Sequence, residues 1–448
     1  MSQSRKMLIT ILIVAVIIVI IVGVATTYVY YMAQPKEQPT VPTGPVEIVM
    51  WDGLTGGDGY VMEMLIEEFN NEHEGKIVVK ETHILWAELY TKLTAAYQAG
   101  TGLPDVLIMH NTEVAQFMDT AIKPITDYFY DQEVGIADLE SDFFDMAMKW
   151  VKKGDEIYGV PWDVHCYSLY VNLDVLDKAN LTLKDVSNYV ARGIDGFKEL
   201  IELIEERNAT EWGFTVPAYS AYPGLPWHFP CFVPGLDPII TSDGVTATVN
   251  DERHMTAWSF YEWLVTRPKS IPLPGSMADY MDYFITGRVG MIIAGTWYQA
   301  TFDQYPQLRY IAVTAWPGLW GQSHIWFMTR ANGKERDDAA WTLIKWMVSR
   351  VSNMGRWGQY AGHVPARRSA ANYPPYSSLP GRINQMKQIF DVGVKFYPPH
   401  PRVHEIESII GTYVQKILYR QMTAEEAANA AQEEIQALLN ETPYPYSP

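Results

Sequence analysis

The stretch AYQAGTGLPDVLIM, residues 96–109, carries a polar helix into two glycines and a proline, then into an unbroken apolar run. Gly100 and Gly102 suit a helix C-terminus, where the chain often turns left-handed. Pro104 cannot continue the helix and pushes Leu103 toward extended backbone. Residues 106–109 then read as a strand buried on both faces, as in a parallel sheet. Ligands of open α/β sheets gather at the carboxyl ends of such strands. Here that end presents His110 and Asn111.

Working outward, VEIVMW (46–51) predicts a strand ending at Trp51 and Asp52. DGLTGGDG follows, then a helix with Met62, Leu65, Ile66 and Phe69 on one face. KIVVKET, from Lys76, predicts a second strand, and a helix with Leu85, Leu89 and Leu93 aligned leads into the opening stretch. Strand, helix, strand, helix, strand is the order of a mainly parallel α/β sheet. Further strands are expected at 167–171, 289–295 and 310–316. Helices are expected from Gly196, from Asp337 and from a capping box, Thr423 to Glu426, whose helix buries Ala428, Ala431, Ile435 and Leu438.

The chain has 448 residues and is 48% apolar, enough for two or three domains and a substantial core. Its formal net charge of −18 argues against a nucleic-acid partner, because phosphate binding needs clustered Lys and Arg. The 15 Trp and 28 Tyr point either to a large aromatic core or to a site that stacks flat ligand faces. Arg5 and Lys6 precede an uncharged run, 7–25, and no charge follows until Lys36. That run is long enough to span a bilayer, and the charge order places the remainder outside the cell. A retained transmembrane anchor over residues 1–32 is expected, with Tyr28, Tyr30 and Tyr31 at the interface; cleavage after Ala25 is the alternative. The Pro/Thr-rich segment 33–45 reads as a tether that lifts the globular part off the membrane. Cys166 and Cys231 read as buried free thiols rather than a disulfide, and Asn180, Asn208 and Asn440 stand in N-x-T sequons.

Several stretches, in this order, resemble the extracellular solute-binding proteins of ABC importers, in the group of the maltose-binding protein. They are AGTGLPDVLIM, IKPITDYF from Ile122, GDEIYGVPWDVHCYSLYVNLDVLDKANL from Gly154, FITGRVGMIIAGTWYQ from Phe284, and HVPARRSA from His363. The resemblance spans about 46–440 and implies a two-lobed periplasmic-binding-protein fold of type II, with mainly parallel sheets flanked by helices. Three chain crossings are then expected, near 170–172, 312–315 and 362–366. Lobe one would be 46–170 with 316–362, and lobe two 171–312 with 366–448. The resemblance also implies a monomer that holds a carbohydrate between the lobes and delivers it to ABC permease subunits. Family members that bind glycerol phosphodiesters or other polyols give an alternative ligand. The bacterial lipoprotein cysteine is replaced by a span and tether, a combination that looks archaeal.

The candidate ligand-binding residues follow. Trp51, Asp52, His110 and Asn111 end strands at their carboxyl ends, against the plainer reading of loop capping. Trp162 and Asp163 follow GVP, and Trp297 lies in GTWYQ, where the family often places ligand contacts and a stacking aromatic. Trp86, Trp227 and Trp320 are weaker candidates, while Trp341 and Trp346 read as helix packing. No catalytic, metal or cofactor set is expected. Ser408 breaks the H-E-x-x-H pattern begun at His404, and GQSHI (321–325) lacks the second glycine of a nucleophile elbow. An exported glycan-active hydrolase is the enzymatic alternative, with Asp52, Asp163 and Asp279 as conceivable carboxylates.

Overall fold

A computed structural model describes residues 44–443 apart from 119, 220–223, 237–238, 242–243, 331–332 and 398–399, together with residues 7, 22–24 and 26. Met1–Pro45 and Val46–Pro448 are separate compact units. In the first, residues 7, 22–24 and 26 are helical, and the Thr26 hydroxyl donates to the carbonyls of Val22 and Gly23 at 2.7 and 3.0 Å. Most of the apolar run 7–25, and with it the expected membrane span, lies outside the described residues. Among the described residues no helix is long and apolar enough to cross a membrane.

In the second unit the strands run β1 (Val46–Asp52), β2 (Ile77–His83), β3 (Val106–His110), a small hairpin β4 (Lys152–Lys153) and β5 (Glu156–Ile157), β6 (Gly159–Pro161) and β7 (Asp163–Asn172). They continue as β8 (Trp212–Phe214), β9 (Val289–Gly295), β10 (Tyr310–Val313), β11 (Leu319–Gln322), β12 (His324–Met328), β13 (Val364–Pro365) and β14 (Val394–Lys395). The opening stretch folds as its residues dictate. The helix Trp86–Ala99 is capped by Gly100 in the left-handed region, φ 67°, and Gly102 also has positive φ before the chain enters β3. Every residue of β3 is buried.

One sheet has the order β2-β1-β3-β12-β6 and the other β14-β11-β7-β9-β8, with β10 and β13 also paired to β7. The expectation of mainly parallel sheets is corrected here, because both are mixed. β1 runs parallel to β2 and β3, as the strand–helix alternation of 46–110 requires, but β12 is antiparallel to both β3 and β6. In the second sheet β7 is antiparallel to β9, β10, β11 and β13. Each of these strands returns from elsewhere in the chain and enters from the opposite end. Their apolar runs are buried on both faces, and such a run does not report direction.

Two large hydrophobic cores form around the two sheets. The first takes Ile48 to Cys166, Ile325 to Met354 and the later Ala366, Ala370, Ala371, Tyr376 and Val394. The second takes Tyr167 to Ile293, Val313 to Trp320 and Tyr397 to Leu439. β7 therefore begins in one core and ends in the other. The helix Lys334–Ser349 buries Ala340, Ile344 and Met347 against the first core, with Trp341 and Trp346 also inside. The C-terminal helix Ala424–Glu441 opens with the expected capping box, and its Ala428, Ala431, Ile435 and Leu438 enter the second core.

Two local departures have simple causes. Leu85 is 56% exposed because the helix starts one residue later and leaves it at the extended N-cap position. The strand expected to reach Trp316 stops at Val313, and the Trp316 indole turns inward to donate to the Cys231 carbonyl at 2.6 Å. Cys166 and Cys231 are both buried free thiols. Burial pushes each up to about 12.

Candidate functional site

A cavity of about 340 Å³ lies between the two cores. Gly53, Asp58, Trp86 and His110 face it from the first core's side, and Trp227, Met277, Trp297 and Tyr298 from the other. His165, Tyr167, His324 and His363 complete the wall.

The two opposed indoles are seated by glycines. Trp86 opens its helix, and its ring lies directly over Gly53, just past the end of β1; a Cβ on Gly53 would come within 2.0 Å of that ring. Trp297 follows the end of β9, and a Cβ on Gly295 would come within 2.2 Å of its ring. Trp86 also packs on His110, ring centroids 4.0 Å apart. Tyr90 Oη stands 3.0 Å from His110 Nδ1. Trp227 sits in the short helix Gly224–His228 and donates its Nε1–H to Glu407 Oε1 at 3.1 Å.

Beneath the cavity, Asp163 accepts four hydrogen bonds. Oδ1 takes His165 Nδ1 at 2.9 Å and the His324 backbone N–H at 3.2 Å; Oδ2 takes His324 Nδ1 at 2.8 Å and Trp357 Nε1 at 2.7 Å. Burial alone would raise this carboxyl, but the charges of His324 and His363 and the imidazole hydrogen bonds hold it well below the usual range. His165 is pushed down to about 3, first by burial and then by His324. His110 is held well below its ordinary value, again mainly by burial. Asp58 behaves like Asp163: burial works upward, the adjacent His363 imidazole pulls down, and the net direction is down. The site thus offers ionised carboxylates and, at His110 and His165, imidazoles held neutral, among indole faces, a mixture suited to a ligand with hydroxyl donors and apolar C–H faces.

Of the sequence candidates, Trp86, His110, Trp227 and Trp297 come together on the cavity wall. Asp163 lies behind the histidines, and Trp320 lies behind Trp227. The others are not on that wall. Trp51 is packed under the Lys92 ammonium, 4.2 Å from its ring centroid. Asp52 faces His83 Nδ1 at 2.6 Å and accepts from the Leu54 N–H at 2.9 Å. Asn111 Oδ1 accepts from the Ser323 N–H at 2.9 Å. Trp162 is fully buried against Trp326 and Trp357. Asp279 belongs to the helix Met277–Ile285, where its backbone N–H is capped by Ser276. His165, His324 and His363 were missed, although a signal for one was available. In Asp163-Val164-His165 the strand period of two puts the acid and the imidazole on one face. Nothing local in the sequence pairs either with His324 or His363.

With the geometry established, its relatives can be set beside it. The chain belongs to the bacterial extracellular solute-binding protein family, whose sequence model matches residues 64–383. It is 17% identical over 279 residues to an arabinooligosaccharide-binding protein of Bacillus subtilis (strain 168), covering 61% of this chain and 60% of that protein. A second arabinooligosaccharide-binding protein, from Halalkalibacterium halodurans, is 21% identical over 274 residues, covering 57% of its length. The chain thus spans somewhat under two thirds of the curated relatives it matches. Among solved structures, the GacH receptor of Streptomyces glaucescens, described unliganded and with acarbose, superposes with a TM-score of 0.73 at 19% identity, covering 89% of this chain and 99% of that one. Maltose-bound T. maritima MalE3 gives 0.72 at 19% identity, covering 88% and 100%. The fold is therefore the two-lobed one of the maltose-binding group.

Proposed function

We propose that this protein is a non-enzymatic receptor that binds a carbohydrate, of disaccharide or short oligosaccharide size, in the cavity between its lobes. The observation that carries this reading is the pair of glycine-seated indoles, Trp86 and Trp297, on opposite walls beside ionised Asp58. Sugars offer C–H faces to indoles and hydroxyl donors to carboxylates. A volume of 340 Å³ is of the size that small-molecule sites use. The sugars in the names of the relatives support the same class.

The lobes close on the ligand by hinge motion. The change from one apolar core to the other after Cys166, between Trp320 and Ile325, and between Val394 and Tyr397 supports two lobes with three crossings, and favours these points over those expected near 170–172, 312–315 and 362–366. Family membership supports delivery to an ABC permease, and the uncharged segment 7–25 supports anchoring to the outer face of the membrane. A hydrolase would need a carboxylic acid held above its ordinary value to protonate the leaving group. Asp58 on the cavity wall and Asp163 behind it are both shifted the other way, and Asp52, which burial raises, turns to His83 off that wall, which favours the receptor.

A thermal-shift screen over a panel of sugars and polyols tests the reading. A ligand at 100 times its Kd adds about 2.7 kcal/mol to stability. One class of oligosaccharide should raise Tm and be recovered uncleaved after incubation. Stabilisation only by glycerol phosphodiesters would replace the ligand class, and cleaved product would replace the receptor with a hydrolase.

A further inference from the structure

The cavity holds more imidazole than sugar recognition requires. His165, His324 and His363 all open on it. Their ring centroids lie 4.3 to 5.2 Å from one another. One donor atom from each of these histidines and from Asp163 lies within 4.8 Å of the rest, and all four residues are buried.

The hydrogen bonds fix which nitrogens are available. An ionised carboxylate only accepts. His165 and His324 must therefore each donate from Nδ1 to Asp163. A ring that donates from Nδ1 has only Nε2 left to offer a lone pair to an ion. The four hydrogen bonds to Asp163 fill its acceptor capacity, so it orients imidazoles rather than binding an ion itself. A carboxylate behind a histidine is the usual support for a metal ligand. His363 supplies the second, independent observation. It is 1% exposed, yet neither ring nitrogen has a hydrogen-bond partner. Its nearest polar neighbour is Asp58 Oδ2, 3.6 Å from Nε2 and beyond hydrogen-bond reach. A buried imidazole with both nitrogens unsatisfied costs free energy unless something fills the gap.

We propose that His165, His324 and His363 bind a borderline divalent transition-metal ion, of which Zn²⁺ is the type, with Asp163 as the carboxylate behind two of them. Three imidazoles with one side open to a cavity match the coordination of zinc sites that keep a position for an exogenous donor. The three histidines share the cavity wall with Trp86 and Trp297, so an oxygen of the bound solute would complete the shell. Bonds of about 2.0–2.1 Å need the rings to close in slightly, and His363 has no hydrogen bond to hold it back.

The test uses the metal alone, with no sugar, so its outcome is separate from the carbohydrate reading. Metal-free, untagged full-length protein is titrated with Co²⁺ and followed by visible absorption. The expected result is one saturable site with the intense d–d bands of four- or five-coordinate cobalt, bleached by one equivalent of Zn²⁺. His363→Ala and His324→Gln should each weaken binding about tenfold or more, the scale seen when a ligand's environment is disrupted. His83→Gln, in the separate Asp52–Glu81–His83 group, should leave it unchanged. Circular dichroism checks that each variant folds. A wild-type protein that shows no saturable site overturns the proposal, and this result needs no variant. Binding that survives both cavity substitutions, or that is lost in His83→Gln, overturns it as well.

Discussion

The indole of Trp227 lies flat against that of Trp320, ring centroids 4.4 Å apart and planes 13° from parallel. Trp227 borders the cavity, while Trp320 is fully buried behind it. The pair separates two roles that tryptophan plays in this protein, and substitution should separate them too.

Trp320→Ala should cost about 3–5 kcal/mol of fold stability, as truncation of a buried aromatic does. Trp297→Ala removes a wall of the cavity instead. It should weaken sugar binding by about 1–3 kcal/mol, or roughly 5- to 150-fold. Calorimetric titration and denaturant unfolding on both variants read the two quantities. Unchanged affinity in Trp297→Ala, with a large loss of stability, would remove that indole from the site.

Gly53→Ala and Gly295→Ala should each displace an indole, because the added Cβ would sit 2.0 Å from the Trp86 ring or 2.2 Å from the Trp297 ring. Neither glycine has positive φ, so backbone strain is not the cause. The expected outcome is weaker sugar binding with the circular dichroism spectrum retained. Full affinity in both variants would mean that the ring positions do not matter to the ligand.

The group around His83 should make the protein lose stability as pH rises. Hydrogen bonding to Asp52 lifts His83 from its ordinary 6.5 to about 9, and burial lifts Glu81 from 4.5 to about 8. Both folded-state values are raised, so the folded chain holds protons that the unfolded chain has released. The His83 contribution is fully present below pH 6.5 and is lost as pH passes through about 9. The Glu81 shift acts in the same direction, from about pH 4.5 to 8. Urea unfolding across pH 6–10 should show the decline, and His83→Gln should flatten its upper part. A wild-type curve already flat from pH 6.5 to 9 would contradict this.

Glu113, on the first core's side, and Glu407, on the second's, both approach His404, at 3.3 and 3.5 Å. Burial raises Glu113 to about 7, with His404 opposing and Glu407 adding to the shift. Removing the imidazole in His404→Ala leaves two buried carboxyls without the histidine they share. The closed form should be weakened by about 1–3 kcal/mol. Small-angle scattering should then show a larger radius of gyration at low ligand, restored only at higher ligand concentration. An identical ligand dependence in variant and wild type would remove this contact from closure.

The anchor can be checked on the protein made by cells. The intact segment 7–25 predicts retention in membranes after high-salt washing, with the original N-terminal region still present. Mass spectrometry that finds a soluble form starting at Thr26 would show cleavage instead.

The sequence disclosed most of what is local. Gly100, Gly102 and Pro104 announced the turn into β3, and the box from Thr423 to Glu426 announced the last helix. The strand 289–295 was legible from its apolar run between glycines. Strand direction in the sheets was not, because β12 reaches β3 from more than 200 residues away and its burial is the same either way up. The cavity was half legible. Trp86, His110, Trp227 and Trp297 stand out as aromatic or polar residues near element ends. Asp163 was singled out for ligand contact, whereas its four hydrogen bonds turn it toward the histidines. His165, His324 and His363 come from β7, β12 and the turn before β13, and no spacing in the chain links them.

β7 itself has a thermodynamic consequence. Val164 and Cys166 are packed into one core, and Tyr167, Leu169 and Val171 into the other. Neither core can melt without stripping a partner strand from a ladder that continues into its neighbour. Two lobes joined by loose linkers would denature in separate steps; these two should denature as one. A single calorimetric endotherm, with van't Hoff and calorimetric enthalpies in agreement, is the expected signature. The strand shared by the two cores is thus what makes them share one fate on heating.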